Sequence, residues 1–326
     1  MTKTVLVTGS TGFIGSALCR RLVTHGYSVR SLHRKTSPLD VLADLPVERV
    51  VGDILEPETL RSAFKGVDWV FHTAAQSDYW RYPELVLKTS IEGTRNVMFA
   101  AEEAGVQRVM LTSSLAAMGV PGRGELLSEG HNFNLPPNLF PYGYSKFLAE
   151  IEARKVSAQG IELVILNPSI VLGPGDINRI SGTMVIEAAK GWGFFWVEGG
   201  ANYIHVDDVV TGHLAAARQG QSGERYILGG ENLPLREVFT ILTEIVGRRP
   251  PWLRIPRQVI EPAARLIDWV RPVITLPFNS SQLRRSCQYL YCDTSKAQKE
   301  LELPQPLPFR QAAQDAYDWY LEQGMI

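Results

Sequence analysis

The sequence predicts an α/β fold: a doubly wound parallel sheet of the Rossmann type, with a smaller mixed α/β lobe on its C-terminal side. Three observations carry this. Short β-branched runs alternate with longer helical patterns from residue 4 to about 170, which is the signature of βαβ units and of a parallel sheet covered on both faces. The first strand runs into a glycine-rich turn that opens directly into a helix. Beyond about residue 170 the alternation breaks down, and isolated strand candidates sit among helices, Gly and Pro.

Six strands are expected in the first part, over residues 4–8, 28–33, 47–51, 67–73, 108–112 and 162–166. The segments 13–25, 57–64, 83–104 and 142–157 each carry apolar residues at helical spacing and are expected as helices between them. In the second part, residues 203–206 and 226–228 are strand candidates. Asp293-Thr294-Ser295 is placed to cap a helix over 296–302, and residues 308–323 form a final amphipathic helix. With no linker-like stretch between the two parts, the second lobe is expected to pack on the first and leave a cleft.

Composition narrows the function classes. Apolar residues make up 45% and charged residues 21% of the 326 residues, ordinary values that exclude disorder and fibrous repeats. Lys plus Arg (33) nearly equals Asp plus Glu (34), so nothing suggests general attraction to nucleic acid or anionic lipid. Cys19, Cys287 and Cys292 are too few and too unevenly spaced for a disulfide framework, a zinc site or a redox pair, which points to a reducing, cytoplasmic setting and no metal. The start, MTKTVLVTGSTG, enters a strand pattern at once, and no stretch of about 18 apolar residues follows. Neither export nor a transmembrane segment is expected.

The turn after the first strand reads Thr8-Gly9-Ser10-Thr11-Gly12-Phe13-Ile14-Gly15. Gly9 permits the tight turn, Gly12 lets the backbone approach a pyrophosphate and Gly15 lets helix and strand pack closely. The helix N-terminus adds unpaired N–H groups and a partial positive charge. Glycines in this context make residues 1–170 a dinucleotide-binding domain and leave 171–326 as the substrate lobe, with chain exchange between the two.

At this point the sequence resembles the short-chain dehydrogenase/reductase superfamily in its extended branch, whose fingerprint TGxxGxxG is intact here. Further matches follow in order: Gly52-Asp53, His72-Thr73-Ala74-Ala75, Asn96, Thr112-Ser113-Ser114, Tyr142-Gly143-Tyr144-Ser145-Lys146, Asn167-Pro168-Ser169 and Tyr203-Ile204-His205-Val206-Asp207-Asp208. The resemblance covers nearly the whole chain and is greatest to bacterial proteins similar to dihydroflavonol 4-reductase, including a group labelled hopanoid-associated sugar epimerases; the segment 223–230 carries it. It implies a nicotinamide cofactor held by Gly9, Thr11, Gly12, Phe13, Ile14, Gly15, Asp53, Ile54, Thr73, Ala74, Ala75, Tyr142, Lys146, Pro168 and Ser169, with Asp53 against the adenine amino group. It also implies a homodimer built on two of the helices.

NAD-selective dinucleotide folds place an acid at the end of the second strand, to bond the ribose hydroxyls. Here that place reads Leu32-His33-Arg34-Lys35, with no carboxylate and two cations able to bond a 2′-phosphate. NADP (as NADPH) is therefore the expected cofactor, with NAD the alternative if Arg34 and Lys35 are simply a solvated pair.

Tyr142 and Lys146 stand four apart at the start of a helical pattern, so they share one face. An ammonium beside a phenol favours the phenolate and makes the tyrosine a usable acid or base near neutral pH. Tyr144 is the competing phenol, but Leu148 stands four residues after it. Ser114 falls just past the fifth strand, at the carboxyl edge where open parallel sheets bind ligands. By resemblance it holds the substrate oxygen, and Asn96 supports a water relay. The implied reaction is reversible hydride transfer at a carbon bearing oxygen, with Tyr142 handling the proton.

For the substrate, nucleotide-sugar enzymes of this branch often carry an Arg two residues before the Tyr of the YIHV-type motif. Ala201 stands there instead. Tyr79, Trp80, Tyr82, Trp192, Phe194, Phe195 and Trp196 flank the expected substrate end and either stack on an apolar ketone or pack between lobes. The favoured reading is an NADPH-dependent reductase of a small-molecule ketone or aldehyde. The alternatives are an NAD-dependent nucleotide-sugar epimerase or dehydratase, a 3β-hydroxysteroid dehydrogenase-like enzyme, and a nucleotide-sensing regulator without chemistry. Residues 252–278 mix Ile260, Leu266, Ile267, Trp269 and Val270 with Arg254, Arg257, Arg265 and Arg271, a pattern read as a helix packed on its own lobe, with a membrane surface or partner as the alternative.

Overall fold

The central strands of the main sheet, Thr4–Thr8, Trp69–His72, Arg108–Thr112 and Glu162–Pro168, are almost wholly buried, as parallel strands covered by helices on both faces are. A computed structural model describes residues 2–76, 82–270 and 280–326. Its first part runs β1 (Thr4–Thr8), α1 (Phe13–Thr24), β2 (Ser28–His33), β3 (Glu48–Val51), α2 (Pro57–Phe64), β4 (Trp69–His72), α3 (Pro83–Lys88), α4 (Thr94–Glu103), β5 (Arg108–Thr112), α5 (Pro141–Ser157) and β6 (Glu162–Pro168). The second continues with β7 (Ile170–Leu172), α6 (Thr183–Ala189), β8 (Phe195–Val197), β9 (Gly200–His205), α7 (Val206–Gln219), β10 (Arg225–Leu228), β11 (Glu231–Pro234), α8 (Leu235–Ile245) and β12 (Leu253–Ile255). It closes with α9 (Ile260–Val270), α10 (Ser280–Ser286), β13 (Tyr289–Leu290), α11 (Ser295–Glu300) and α12 (Phe309–Glu322).

Seven strands form one parallel sheet in the order β10-β6-β5-β4-β1-β2-β3. The winding direction reverses between β1 and β4, so the crevice beyond their carboxyl ends is the place for a ligand. One apolar layer joins Val5, Val7 and Phe71 of the sheet to Leu18 and Leu22 of α1 and to Val209, Val210 and Leu214 of α7. The opposite layer joins Leu6, Val70 and Val109 to Leu60, Val97, Met98 and Ala153 of α2, α4 and α5. Phe71 is fully buried. Phe71→Ala is expected to destabilise the protein by about 3–5 kcal/mol, read as a lowered urea midpoint.

Three findings refine the elements expected from sequence. The strand expected over 226–228, isolated among the helices of the second lobe, spans Arg225–Leu228 and pairs with β6 as the edge strand of the main sheet. Four residues contain no local signal for a partner some sixty positions away. The long helix expected over 83–104 is interrupted by a π-helical turn at Thr89–Gly93. There Gly93 passes so close to Ile54 that a Cβ would lie 2.6 Å from its Cδ1. At the cap expected over 293–295, Thr294 occupies the N-cap without a side-chain cap bond, and Asp293 Oδ1 accepts the Ser295 N–H at 2.9 Å.

The smaller lobe is centred on β9, which pairs antiparallel with β11 and parallel with β7 and β13. Its core combines Tyr203, Leu242, Phe309 and Tyr320. In α9, Ile260, Ala264 and Ile267 face inward, while Leu266 and Trp269 are exposed. Among the described residues no helix is long and apolar enough to cross a membrane. Tyr79, Trp80, Arg271 and the rest of the segment to residue 278 lie outside the described residues.

Candidate active site

β1 delivers the chain to a turn in which Gly9 adopts φ +66°, a conformation that favours glycine. A Cβ on Gly9 would lie 2.6 Å from Ala74 Cα, and one on Gly15 would lie 2.1 Å from the Gly9 carbonyl oxygen. Gly12 N–H donates to that same oxygen at 2.9 Å, closing the turn. Gly12 also occupies the N-cap of α1, so no side chain satisfies the first N–H groups, and the first turn carries no acid. Thr11 and Ile14 lie half-buried on this turn and Phe13 is buried beneath it. The result is a positively polarised backbone cradle suited to a diphosphate.

At the end of β2, the imidazole Nδ1 of buried His33 lies 3.0 Å from the Arg34 carbonyl oxygen. Arg34 N–H donates to Ser37 Oγ at 3.2 Å, and Ser37 N–H returns to the Arg34 carbonyl at 3.0 Å. This tight turn leaves the Arg34 and Lys35 side chains exposed, with no hydrogen bond or ion pair among the described residues. Asp53 accepts the Leu55 N–H on Oδ1 at 2.9 Å. Asn96 donates its amide to the Ile54 carbonyl at 2.8 Å, so its side chain fastens the Asp53–Ile54 loop. Across the crevice, Thr73 Oγ1 donates to the Thr8 carbonyl at 2.7 Å and Ala74 N–H to Thr8 Oγ1 at 3.2 Å, with Ala75 exposed beside them.

The candidate proton-handling residues Ser114, Tyr142 and Lys146 are placed by the carboxyl end of β5 and the start of α5. Ser114 caps a short 3-10 turn, its Oγ accepting the Ala116 N–H at 3.2 Å. Pro141 starts α5, placing Tyr142 in its first turn and Lys146 one turn later on the same face. Lys146 is buried, and its Nζ donates to the Thr112 carbonyl at 3.0 Å, which ties the face carrying Tyr142 to the strand end carrying Ser114. Burial pushes the Lys146 ammonium down to about 8, opposed by the carboxylate of Glu150. His72 is held lower still, to about 3, by burial and by Lys146. It is therefore neutral at physiological pH, bonding Thr8 at 2.7 Å and Thr94 at 3.1 Å.

Pro168 ends β6 and Ser169 follows it. Buried Asn167 Oδ1 and Ser169 Oγ have no hydrogen-bond partner among the described residues. Such orphaned polar atoms are costly unless a ligand supplies partners, and at this end of the crevice the amide of a nicotinamide would do so. The cradle and these atoms together fit a nicotinamide dinucleotide.

Sequence reasoning did not single out Glu150, Arg225, Ser90 or Arg285. Glu150 stands one turn beyond Lys146, a spacing visible in the sequence. Ser90, in the π-helical turn, donates to Ser145 Oγ at 3.2 Å, and Ser145 donates to the Tyr142 carbonyl at 2.8 Å. The Arg285 guanidinium lies 3.6 Å from the ring centroid of Phe140, two residues before Tyr142. Of the aromatic residues considered for the substrate, Trp192, Phe194 and Phe195 pack as neighbours, and Trp252 stacks on Phe194. Trp196 lies between Arg236 and Arg254, and Tyr82 is exposed. The competing phenol Tyr144 packs against Phe133, with ring centroids 5.6 Å apart.

Comparison with known proteins agrees with this geometry. Residues 5–229 match the family described as the NAD dependent epimerase/dehydratase family. A Synechocystis sp. protein provisionally named a dihydroflavonol 4-reductase is 36% identical, over 100% of this chain and 97% of that protein. The sterol demethylase protein B of Methylococcus capsulatus is 32% identical over 99% of this chain and 100% of that protein. The crystal structure of gox2253 superposes with a TM-score of 0.88 at 38% identity, covering both chains in full (100% each). The chain belongs to the NAD dependent epimerase/dehydratase family, the extended branch of the short-chain dehydrogenases/reductases, and is an NAD(P)-dependent oxidoreductase acting on CH–OH or C=O groups.

Proposed function

We propose that the protein is an NADPH-dependent reductase that converts a small-molecule ketone or aldehyde to an alcohol, as the name of the Synechocystis relative suggests. The observation that carries this reading is the Lys146–Thr112 hydrogen bond, which ties the helix face of Tyr142 to the strand end of Ser114. Residues 1–170 hold the nucleotide, and 171–326 shape the substrate lobe. Gly9, Gly12 and Gly15 would admit the diphosphate, Asp53 and Ile54 would border the adenine, and Thr73, Ala74 and Ala75 line the crossing between β1 and β4. Pro168 and Ser169 would border the nicotinamide, which would supply the hydride when bound.

In the reductive direction Ser114 donates a hydrogen bond to the substrate carbonyl oxygen and fixes its position. Tyr142 transfers its phenolic proton to that oxygen as charge develops on it. Lys146, as the ammonium, favours the phenolate that remains. Asn96 acts here by holding the Ile54 loop, as its hydrogen bond supports. Since burial pushes the Lys146 ammonium down to about 8, reductive turnover is expected to fall as pH rises through that value. A pH–rate profile flat to pH 10 would contradict it.

Exposed Arg34 and Lys35, without partners among the described residues, support NADPH over NADH. Arg34→Gln is expected to weaken NADPH binding by roughly tenfold to a hundredfold, the loss of a charge-assisted bond, while NADH binding is unchanged. Fluorescence titration with both nucleotides measures this. The alternative, an NAD-dependent nucleotide-sugar epimerase, is favoured by one observation: Arg285 stands beside Phe140 at the Tyr142 end, a cation that an anionic substrate needs. The buried, reduced cysteines support a cytoplasmic setting, and exposed Phe99 on α4 supports a homodimer.

A further inference from the structure

Glu150 is fully buried, one turn beyond Lys146 on α5, and three strand ends converge on it. Ser113, immediately after β5, donates its hydroxyl to Oε1. Asn167, in β6, donates its amide to the same oxygen at 2.7 Å and also to the Ser114 carbonyl at 3.0 Å. Arg225, in β10, donates Nε to Oε2 at 2.6 Å. The Arg225 guanidinium is itself nine-tenths buried and is held by the carbonyls of His131, at 2.8 Å, and Glu129, at 3.3 Å. A buried ion pair is weak evidence for stability, because desolvation offsets attraction, so a specific role is worth seeking.

We propose that Glu150, anchored by Arg225, is a positioning residue for the catalytic groups: its charge keeps Lys146 an ammonium, and its bonds to Ser113 and Asn167 fix the strand end that presents Ser114. This rests on the reductase reading, in which Lys146 must be charged beside Tyr142. Burial lowers the Lys146 ammonium and Glu150, one turn along the same helix, opposes that; the other titratable or charged groups nearby are Tyr142 on α5, His72 on β4, Arg225 on β10 bonded to Glu150, and Arg154 one turn further along α5. Neutral His72 contributes no charge, and Arg154 and Arg225 are cations. Glu150 is therefore the carboxylate in this group, and its removal has a sign opposite to the removal of Arg225.

The test reads the amine directly and needs neither cofactor nor substrate. The 13Cε shift of Lys146, assigned by its loss in Lys146→Met, is followed against pH in the full-length apoprotein. In Glu150→Gln the midpoint is expected to fall below the wild-type value. In Arg225→Gln it is expected to rise, because a cation is gone while the carboxylate stays. In Ser113→Ala, which removes a bond but no charge, it is expected to stay in place. Either charge variant decides the matter if the other fails to fold. An unmoved midpoint in a folded charge variant overturns the inference. Turnover that survives Tyr142→Phe would instead overturn the reductase reading and leave the Lys146 titration as measured.

Discussion

Tyr142→Phe is expected to lower turnover by roughly 10²–10⁴-fold, the usual contribution of a positioned general acid, while nucleotide affinity changes little. The substitution removes one oxygen and keeps the ring, which sits near Phe140 at a centroid distance of 6.1 Å. The diphosphate cradle lies on a different segment of the chain. A lost neutral hydrogen bond costs about 1 kcal/mol, so binding should weaken about fivefold at most. Single-turnover reduction, measured beside a fluorescence titration on the same sample, separates the two effects.

The second large effect is expected at Gly15. A methyl group there would meet the Gly9 carbonyl oxygen at 2.1 Å and Thr73 Oγ1 at 2.8 Å. Backbone cannot yield as a flexible side chain does, so either α1 moves off β1 or the Gly9 carbonyl turns and breaks its bond from Gly12. Both changes spoil the cradle. Gly15→Ala should cost about 1–3 kcal/mol in stability, as overpacking does, and at least tenfold in nucleotide affinity. Gly130→Ala, where no atom lies within 4 Å of the added carbon, is the matched control and should change neither.

What was legible in the sequence was local. The β1 turn and the start of α1 declare themselves through three glycines at fixed spacing. Tyr142 and Lys146 declare themselves through a helical interval. The order of strands and helices up to Pro168 follows from periodicity alone. What was not legible depends on distant pairing. Arg225–Leu228 is a strand in the main sheet because β6 lies beside it, and Arg225 is buried because Glu150 receives it. Arg285 reaches Phe140 from a helix some 140 residues away. The π-helical turn at Thr89–Gly93 answers to the close approach of Ile54, a contact that helical spacing does not encode. Asn96 matched a motif by its place in the chain, but its amide turns toward the Ile54 loop.

Exchangeable NADPH reduction at Tyr142 is tested most directly by identifying by mass spectrometry the nucleotide carried by the purified protein and then titrating the stripped protein with NADPH and NADH. A nucleotide that exchanges freely and NADPH binding at least tenfold tighter than NADH are expected. Tightly retained NAD that does not exchange would contradict it and point to an epimerase that recycles its cofactor in place.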